Sequence, residues 1–316
     1  MNPEMIVFGP IPSRRLGRSL GINNIPYKVC SYSCVYCQLG RTIRMQNERS
    51  TFYDPETITT QVFKKVHALK SKGESVDYLT FVPDGEPTLD INLGKEIETL
   101  KSLGIKIAVI TNSSLIWRSD VREDLAKADW VSLKIDSVLK EIWRKIDRPH
   151  GIERLEKIMD GMHAFRRNFN GTLATETMLV RNLNDDDESA KQLAEFLSTL
   201  RPDIAYLLIP TRPPAEEWVL PPDEVTVFRF YNIVHEKFSN VEFLIGYEGN
   251  AFSFTGNAEE DILSITAVHP MREDSVKALL QRAGAPLSVL DGLIATDRLR
   301  KVQYQEKTFY IRRFGK

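Results

Sequence analysis

Cys30-Ser-Tyr-Ser-Cys34-Val-Tyr-Cys37 places three thiols within eight residues, and the other 308 of the 316 positions hold none. Thiolates spaced this closely converge on one metal centre if the backbone forms a loop, and Pro26, Ser31, Ser33 and Gly40 are loop residues. A structural zinc site takes four protein ligands, so zinc would have to borrow a histidine. The five histidines, at 67, 150, 163, 235 and 269, show no paired ligand spacing. An iron–sulfur cluster also usually takes four cysteines; a [4Fe–4S] cluster held by three keeps one iron open to a small molecule. Zinc and redox-active cysteines stand as the alternatives. An odd number of cysteines this small argues against a disulfide framework.

The C-x3-C-x2-C spacing, with Tyr36 before the last cysteine, resembles the signature of the radical S-adenosylmethionine (SAM) superfamily. The resemblance implies a [4Fe–4S] cluster on Cys30, Cys34 and Cys37, with SAM as the second cofactor and Tyr36 against its adenine. It also implies a Gly-Gly-Glu-like element after the second strand, which binds the SAM amino group. Asp84-Gly85-Glu86 stands there, with Asp84 in place of the first glycine. Asn112, Ser113, Lys134 and Asp136 follow later strands, at positions similar to the family's ribose and carboxylate contacts. On their own, an Asp-Gly pair is a turn and polar residues at strand ends cap helices.

Phe8-Gly9-Pro-Ile-Pro-Ser13-Arg14-Arg15-Leu16-Gly17 and Pro210-Thr211-Arg212-Pro213-Pro214-Ala215 look like a narrower group. They are similar to iron–sulfur oxidoreductases related to wyosine-base tRNA synthases, over residues 5–255. The chain lacks the extra N-terminal cysteines of the tricyclic-base synthase itself. The implied reaction takes one electron from reduced flavodoxin or ferredoxin and cleaves SAM to a 5′-deoxyadenosyl radical. That radical abstracts hydrogen from a substrate, here a tRNA or RNA base or another polar metabolite. Specificity then comes from placement and exclusion of water. No auxiliary cysteine-ligated cluster is expected.

The elements that must position these residues alternate. Apolar, β-branched runs at 19–24, 78–82, 105–111, 130–135, 172–180, 204–210 and 241–245 predict buried strands. Helical patterns at 55–71, 93–103, 121–127, 151–167, 186–199 and 223–238 lie between them. Ala190, Leu193, Ala194 and Leu197 mark one buried helix face. The acidic run 185–188 suits a helix N-terminus rather than a metal site. Repeated βα units predict an α/β fold with parallel strands, and the resemblance specifies a partial (β/α) barrel of the radical SAM type. After residue 255 the pattern changes to three short helices, at 259–266, 272–283 and 286–297, and a hairpin at 301–314. That is the outline of a small C-terminal winged helix-turn-helix domain, giving domains at 1–255 and 256–316.

With 42 Lys+Arg against 43 Asp+Glu, no global pull toward nucleic acid or anionic membranes exists. Hydrophobic residues at 42% exclude a disordered chain. No apolar run is long enough to span a bilayer, no leader is evident, and a cytoplasmic, reducing location is expected. Local charge is uneven. Arg14 and Arg15 belong to a basic first fifty residues and suit a substrate phosphate or carboxylate, or else pair with barrel carboxylates. Glu176, Arg181 and Arg212 are further candidate contacts, with core salt bridges as the competing explanation. The basic C-terminal twenty residues interleave cations with Tyr304, Phe309, Tyr310 and Phe314, so RNA or a peptide could dock there. The 286–297 helix carries Asp291 and Asp297 and little positive charge, which argues against operator reading. Two other functions remain: a peptide-modifying enzyme with a winged-helix clamp, and an iron–sulfur transcriptional sensor, which leaves Gly85-Glu86 and the barrel unexplained.

Overall fold

The computed structural model describes residues 6–245 and 257–313. Strands β1 (Val7–Ser13) and β2 (Gly17–Ile22) form an antiparallel hairpin, followed by two short strands, β3 (Val29–Cys30) and β4 (Arg44–Met45). Helix α1 (Pro55–Lys70) leads to β5 (Tyr78–Phe81), and α2 (Leu93–Leu100) to β6 (Lys106–Thr111). Next come α3 (Ser119–Leu125), β7 (Trp130–Lys134), α4 (Lys140–Asp147), α5 (Leu155–Asn168) and β8 (Thr172–Met178). The series ends with α6 (Asp187–Leu200), β9 (Ile204–Leu208), α7 (Glu224–Lys237) and β10 (Val241–Leu244).

Eight strands make one curled sheet in the order β1-β2-β5-β6-β7-β8-β9-β10. All neighbours from β2 onward are parallel. Helices connect the strands from β5 on, so they cover the outer face, as right-handed crossovers require. Ile107 and Val109 of β6 are fully buried in the outer core, while Ala108 faces an inner layer with Leu16, Trp130, Ala174, Tyr206 and Leu244. Leu16, at the hairpin turn, thereby plugs the inside of the half-barrel. On α6, Ala190, Leu193, Ala194 and Leu197 are all buried, as their spacing predicts. Asp186 caps that helix by accepting from the Ser189 amide, so the acidic run starts a helix.

The last elements are α8 (Ala258–Val268), β11 (Met271–Arg272), α9 (Glu273–Ala283), α10 (Ser288–Ala295), β12 (Leu299–Tyr304) and β13 (Lys307–Arg312). Their antiparallel sheet has the order β11-β13-β12. This unit has its own core, including Ile262, Leu279, Leu293 and Tyr310, and Ile11 of β1 packs against it. Ala267 of α8 packs on Phe8. Glu74 pairs with Arg18 of the barrel and, at 2.9 Å, with Arg282 of α9. The Tyr304 hydroxyl donates to the Pro210 carbonyl at 3.1 Å, laying the hairpin against the loop after β9. The expected boundary at 255/256 lies outside the described residues. Among the described residues no helix is long and apolar enough to cross a membrane.

Candidate active site

The cysteine loop lies just beyond the C-terminal end of β2. Pairing of β3 with β4 closes its base, and α4 staples its middle: Val35 donates to the Ile146 carbonyl at 2.9 Å and Ser33 to that of Asp147 at 3.0 Å. The Cys37 amide donates to Cys34, and Gly40, at φ +84, turns its own amide back to Cys37. All three thiols are half-buried and free. Polar groups attend them: Asn112 Nδ2 lies 3.5 Å from Cys30 Sγ, and the buried Lys28 ammonium 3.2 Å from Cys37 Sγ. Cys34 Sγ lies 3.4 Å from a carboxylate oxygen of Asp147.

Burial, with Glu86 nearby, pushes the Cys30 thiol up to about 12. Burial and the Asp147 charge drive Cys34 well above its usual range. A bound metal cluster would hold both as thiolates. Among the described residues no group of three or more His, Cys, Asp or Glu is arranged around a single metal-ion position. A three-thiol loop with ammonium and amide donors fits an iron–sulfur cluster.

Asp84-Gly85-Glu86 follows β5 and leans on this loop. A Cβ on Gly85 would stand 1.8 Å from the Val29 carbonyl oxygen, the residue before Cys30. Glu86, 1% exposed, accepts from the Thr88 amide and hydroxyl, the Thr111 hydroxyl and the Asn112 amide. It therefore ties the ends of β5 and β6 together and sets Asn112 beside Cys30. Burial still raises its carboxyl, though all four donors oppose the shift. Asp84 is pushed up to about 7 by burial, with Asn23 donating to one oxygen and the other unpartnered. The buried Ser113 hydroxyl, on a residue at φ 69, also lacks a partner. Unsatisfied buried acceptors and donors of this kind suit a polar ligand.

At the end of β7, Lys134 holds its ammonium 4.7 Å from the Tyr36 ring centroid. The Tyr36 hydroxyl donates to Asp136, which also accepts from the Met178 amide at 2.7 Å. Burial and the Asp136 charge raise Asp147, the carboxyl that meets Cys34. The gap between Asn112, Lys134, Asp136 and Asp147 measures about 10 Å³, at the threshold for one water.

A larger cavity, about 140 Å³, lies inside the half-barrel beside these groups. Arg15 lines it and pairs with Glu176, which also accepts from Ser132 at 2.7 Å. Burial pushes Glu176 up, but Arg15, Lys134 and Ser132 outweigh it and hold the carboxyl below its usual range. Arg212 reaches Gln38 at 3.0 Å and His269, the C-cap of α8, at 3.2 Å. Arg14 and Arg181 are exposed and line no part of this cavity; Arg181 lies in the field of Asp185 and Asp223. Of the hairpin aromatics, Phe309 and Tyr310 are buried in the C-terminal unit's own packing and Tyr304 is turned to Pro210. Those rings are not presented for base stacking; Phe314 lies outside the described residues. Lys28, Asp147 and His269 join the site from outside the motifs, while Gln38 belongs to the Cys34–Gly40 run.

A half-barrel of parallel strands with a three-cysteine loop at their C-terminal ends defines the class of radical SAM proteins. The Radical SAM superfamily model matches residues 24–194, and the chain belongs to that family, which uses a [4Fe–4S] cluster and SAM. Over 309 residues it is 50% identical to the UPF0026 protein MJ1312 of Methanocaldococcus jannaschii, spanning 97% of this chain and 96% of that one. Among solved structures, a radical SAM methyltransferase from Sphaerobacter thermophilus superposes with a TM-score of 0.54 at 15% identity, over 72% of this chain and 66% of that one. TYW1 with a lysine–pyruvate adduct bound gives 0.54 at 17% identity, over 69% and 73%. At these identities the likeness is one of fold.

Proposed function

We propose that this chain is a radical SAM enzyme acting on a polar metabolite, with its cluster on Cys30, Cys34 and Cys37. The observation that carries the reading is the three-thiol loop with amide and ammonium donors at two of its sulfurs. When bound, the cluster and SAM supply a 5′-deoxyadenosyl radical, by one-electron cleavage of the sulfonium bond, that takes a hydrogen atom from the substrate. Lys28 and Asn112 donate toward the sulfurs and stabilise their thiolate form. Gly85 and Glu86 fix the strand ends that would receive the SAM amino group, with Asp84 and the Ser113 hydroxyl as unsatisfied partners. Asn112, Lys134 and Asp136, with Tyr36, would orient the adenosyl and carboxylate groups. Reduced flavodoxin or ferredoxin would deliver the electron.

A metabolite is favoured over a macromolecule because the cavity is small and the hairpin aromatics are buried or turned inward. The order helix–strand–helix–helix–hairpin and the sheet order β11-β13-β12 support a winged-helix assignment for the C-terminal unit. Anaerobic reconstitution tests the reading. About four irons per chain and 5′-deoxyadenosine from SAM and a reductant are expected, both lost when the three cysteines become alanine. One zinc with no iron, or iron-loaded protein that leaves SAM intact, would sink it.

A further inference from the structure

A polar side chain meets each of the three thiols, and one of those side chains is a cation. Cys30 Sγ faces the Asn112 amide at 3.5 Å, Cys34 Sγ the Asp147 carboxyl at 3.4 Å, and Cys37 Sγ the Lys28 ammonium at 3.2 Å. Lys28 is 3% exposed, and among the described residues no Asp or Glu forms an ion pair with it. Asp84, whose carboxyl burial pushes up to about 7, feels the Lys28 charge without pairing with it. Burying an ammonium is costly unless a negative charge answers it. A neutral thiol answers it poorly; a thiolate does so with a full charge.

The backbone is committed to this placement. Lys28 stands at φ +58, a left-handed conformation uncommon for a residue with a Cβ. Its amide donates to the Asp84 carbonyl at 3.0 Å, and its carbonyl accepts from the Ile43 and Arg44 amides, both at 3.1 Å. Both ends of the cysteine loop are thus pinned at Lys28, whose side chain reaches the last cysteine. Glycine would relax this backbone, so a lysine there points to work for the side chain.

A [4Fe–4S] cluster on three thiolates is net negative, and reduction adds the charge of one more electron. A fixed cation beside one sulfur therefore favours the reduced form over the oxidised one, in the same sense as hydrogen bonds to the sulfurs. We infer that Lys28 raises the reduction potential of the cluster through its charge at Cys37 Sγ, and so eases the one-electron reduction that starts the reaction. The inference rests on the cluster reading proposed above.

The test uses the full chain, reconstituted anaerobically and titrated potentiometrically without SAM, with the electron paramagnetic resonance signal of the reduced cluster as readout. Lys28→Met keeps the length of the side chain and removes its charge. Lys28→Gln keeps an N–H donor without the charge, and Lys28→Arg keeps the charge. With iron per chain unchanged, Met and Gln should each make reduction at least tenfold less favourable, a potential lower by about 59 mV for one electron. Arg should stay near the wild-type potential. A wild-type potential in iron-loaded Met or Gln protein overturns the inference, as does an equal fall in Arg. Loss of iron from all three variants while circular dichroism is retained also overturns it, since Lys28 would then only support the loop. An unmoved potential in Lys28→Met protein that still makes 5′-deoxyadenosine refutes the role of Lys28 alone. The expected fall in iron-loaded protein that leaves SAM intact refutes the enzyme and keeps that role; wild-type protein that takes up no iron refutes both.

Discussion

A methyl group at position 85 has no room, because the Val29 carbonyl oxygen already occupies its place and also accepts from the Glu86 amide. Gly85→Ala must push the strand carrying Cys30 away from Glu86 and Asn112. We expect a stability loss of about 1–3 kcal/mol from the overpacking, with far-UV circular dichroism retained and reconstituted iron well below wild type. Wild-type iron content in this variant would show that the Asp84-Gly85-Glu86 turn does not support the loop. The cysteines were legible in the sequence because their chemistry needs only local spacing. The place of Glu86 was legible for the same reason, but its work was not, since Thr111 and Asn112 come from the next strand. Lys28 and Asp147 carried no pattern at all; only the folded loop shows an ammonium at Cys37 and a carboxyl at Cys34.

Among the elements, α2 carries a buried acid. Glu96 is 0% exposed, and neither of its oxygens nor Oδ2 of Asp90 has a donor. Burial, then the Asp90 charge, pushes the Glu96 carboxyl up to about 9. The folded chain thus keeps a proton, shareable with Asp90, that the unfolded chain has released above the ordinary carboxylate range. Stability falls as pH rises from that range to about 9, with a slope near 1.4 kcal/mol per pH unit for one proton. Glu96→Gln should flatten that slope in urea unfolding between pH 5 and 8 and be the more stable form at pH 8. An unchanged slope would mean that Glu96 titrates normally. The parallel strands were readable because strands buried on both faces are continuous apolar runs. Strand β1 was missed, since Gly9, Pro10 and Pro12 interrupt it and a bulge breaks its register. Helix α4 escaped because its eight residues rest on little more than Trp143 and Ile146, and β11 is two residues long.

For the whole molecule, the joint between barrel and C-terminal unit is what sequence alone left open. Glu74 holds Arg18 and Arg282 together, and Ile11 enters the C-terminal core. Glu74→Gln removes the shared charge; both arginines keep some solvent, so the loss should be about 1 kcal/mol. Calorimetry at low salt should show the melting temperature down by about 2 °C, a difference that shrinks as salt is added. No change at low salt would place the joint's strength in its apolar contacts alone. The outline of two units was visible in the change of pattern near residue 255. Their contact was not, because Ala267 meets Phe8 across more than 250 positions of chain. That distance bears on synthesis. A nascent chain can pair β2 with β5 and close the cysteine loop while its C-terminal unit is still being translated, but the wall that ends at His269 is not there yet. Contacts so remote in sequence form late. The order in which the ribosome delivers this chain therefore puts closure of the cysteine loop before completion of the cavity inside the half-barrel.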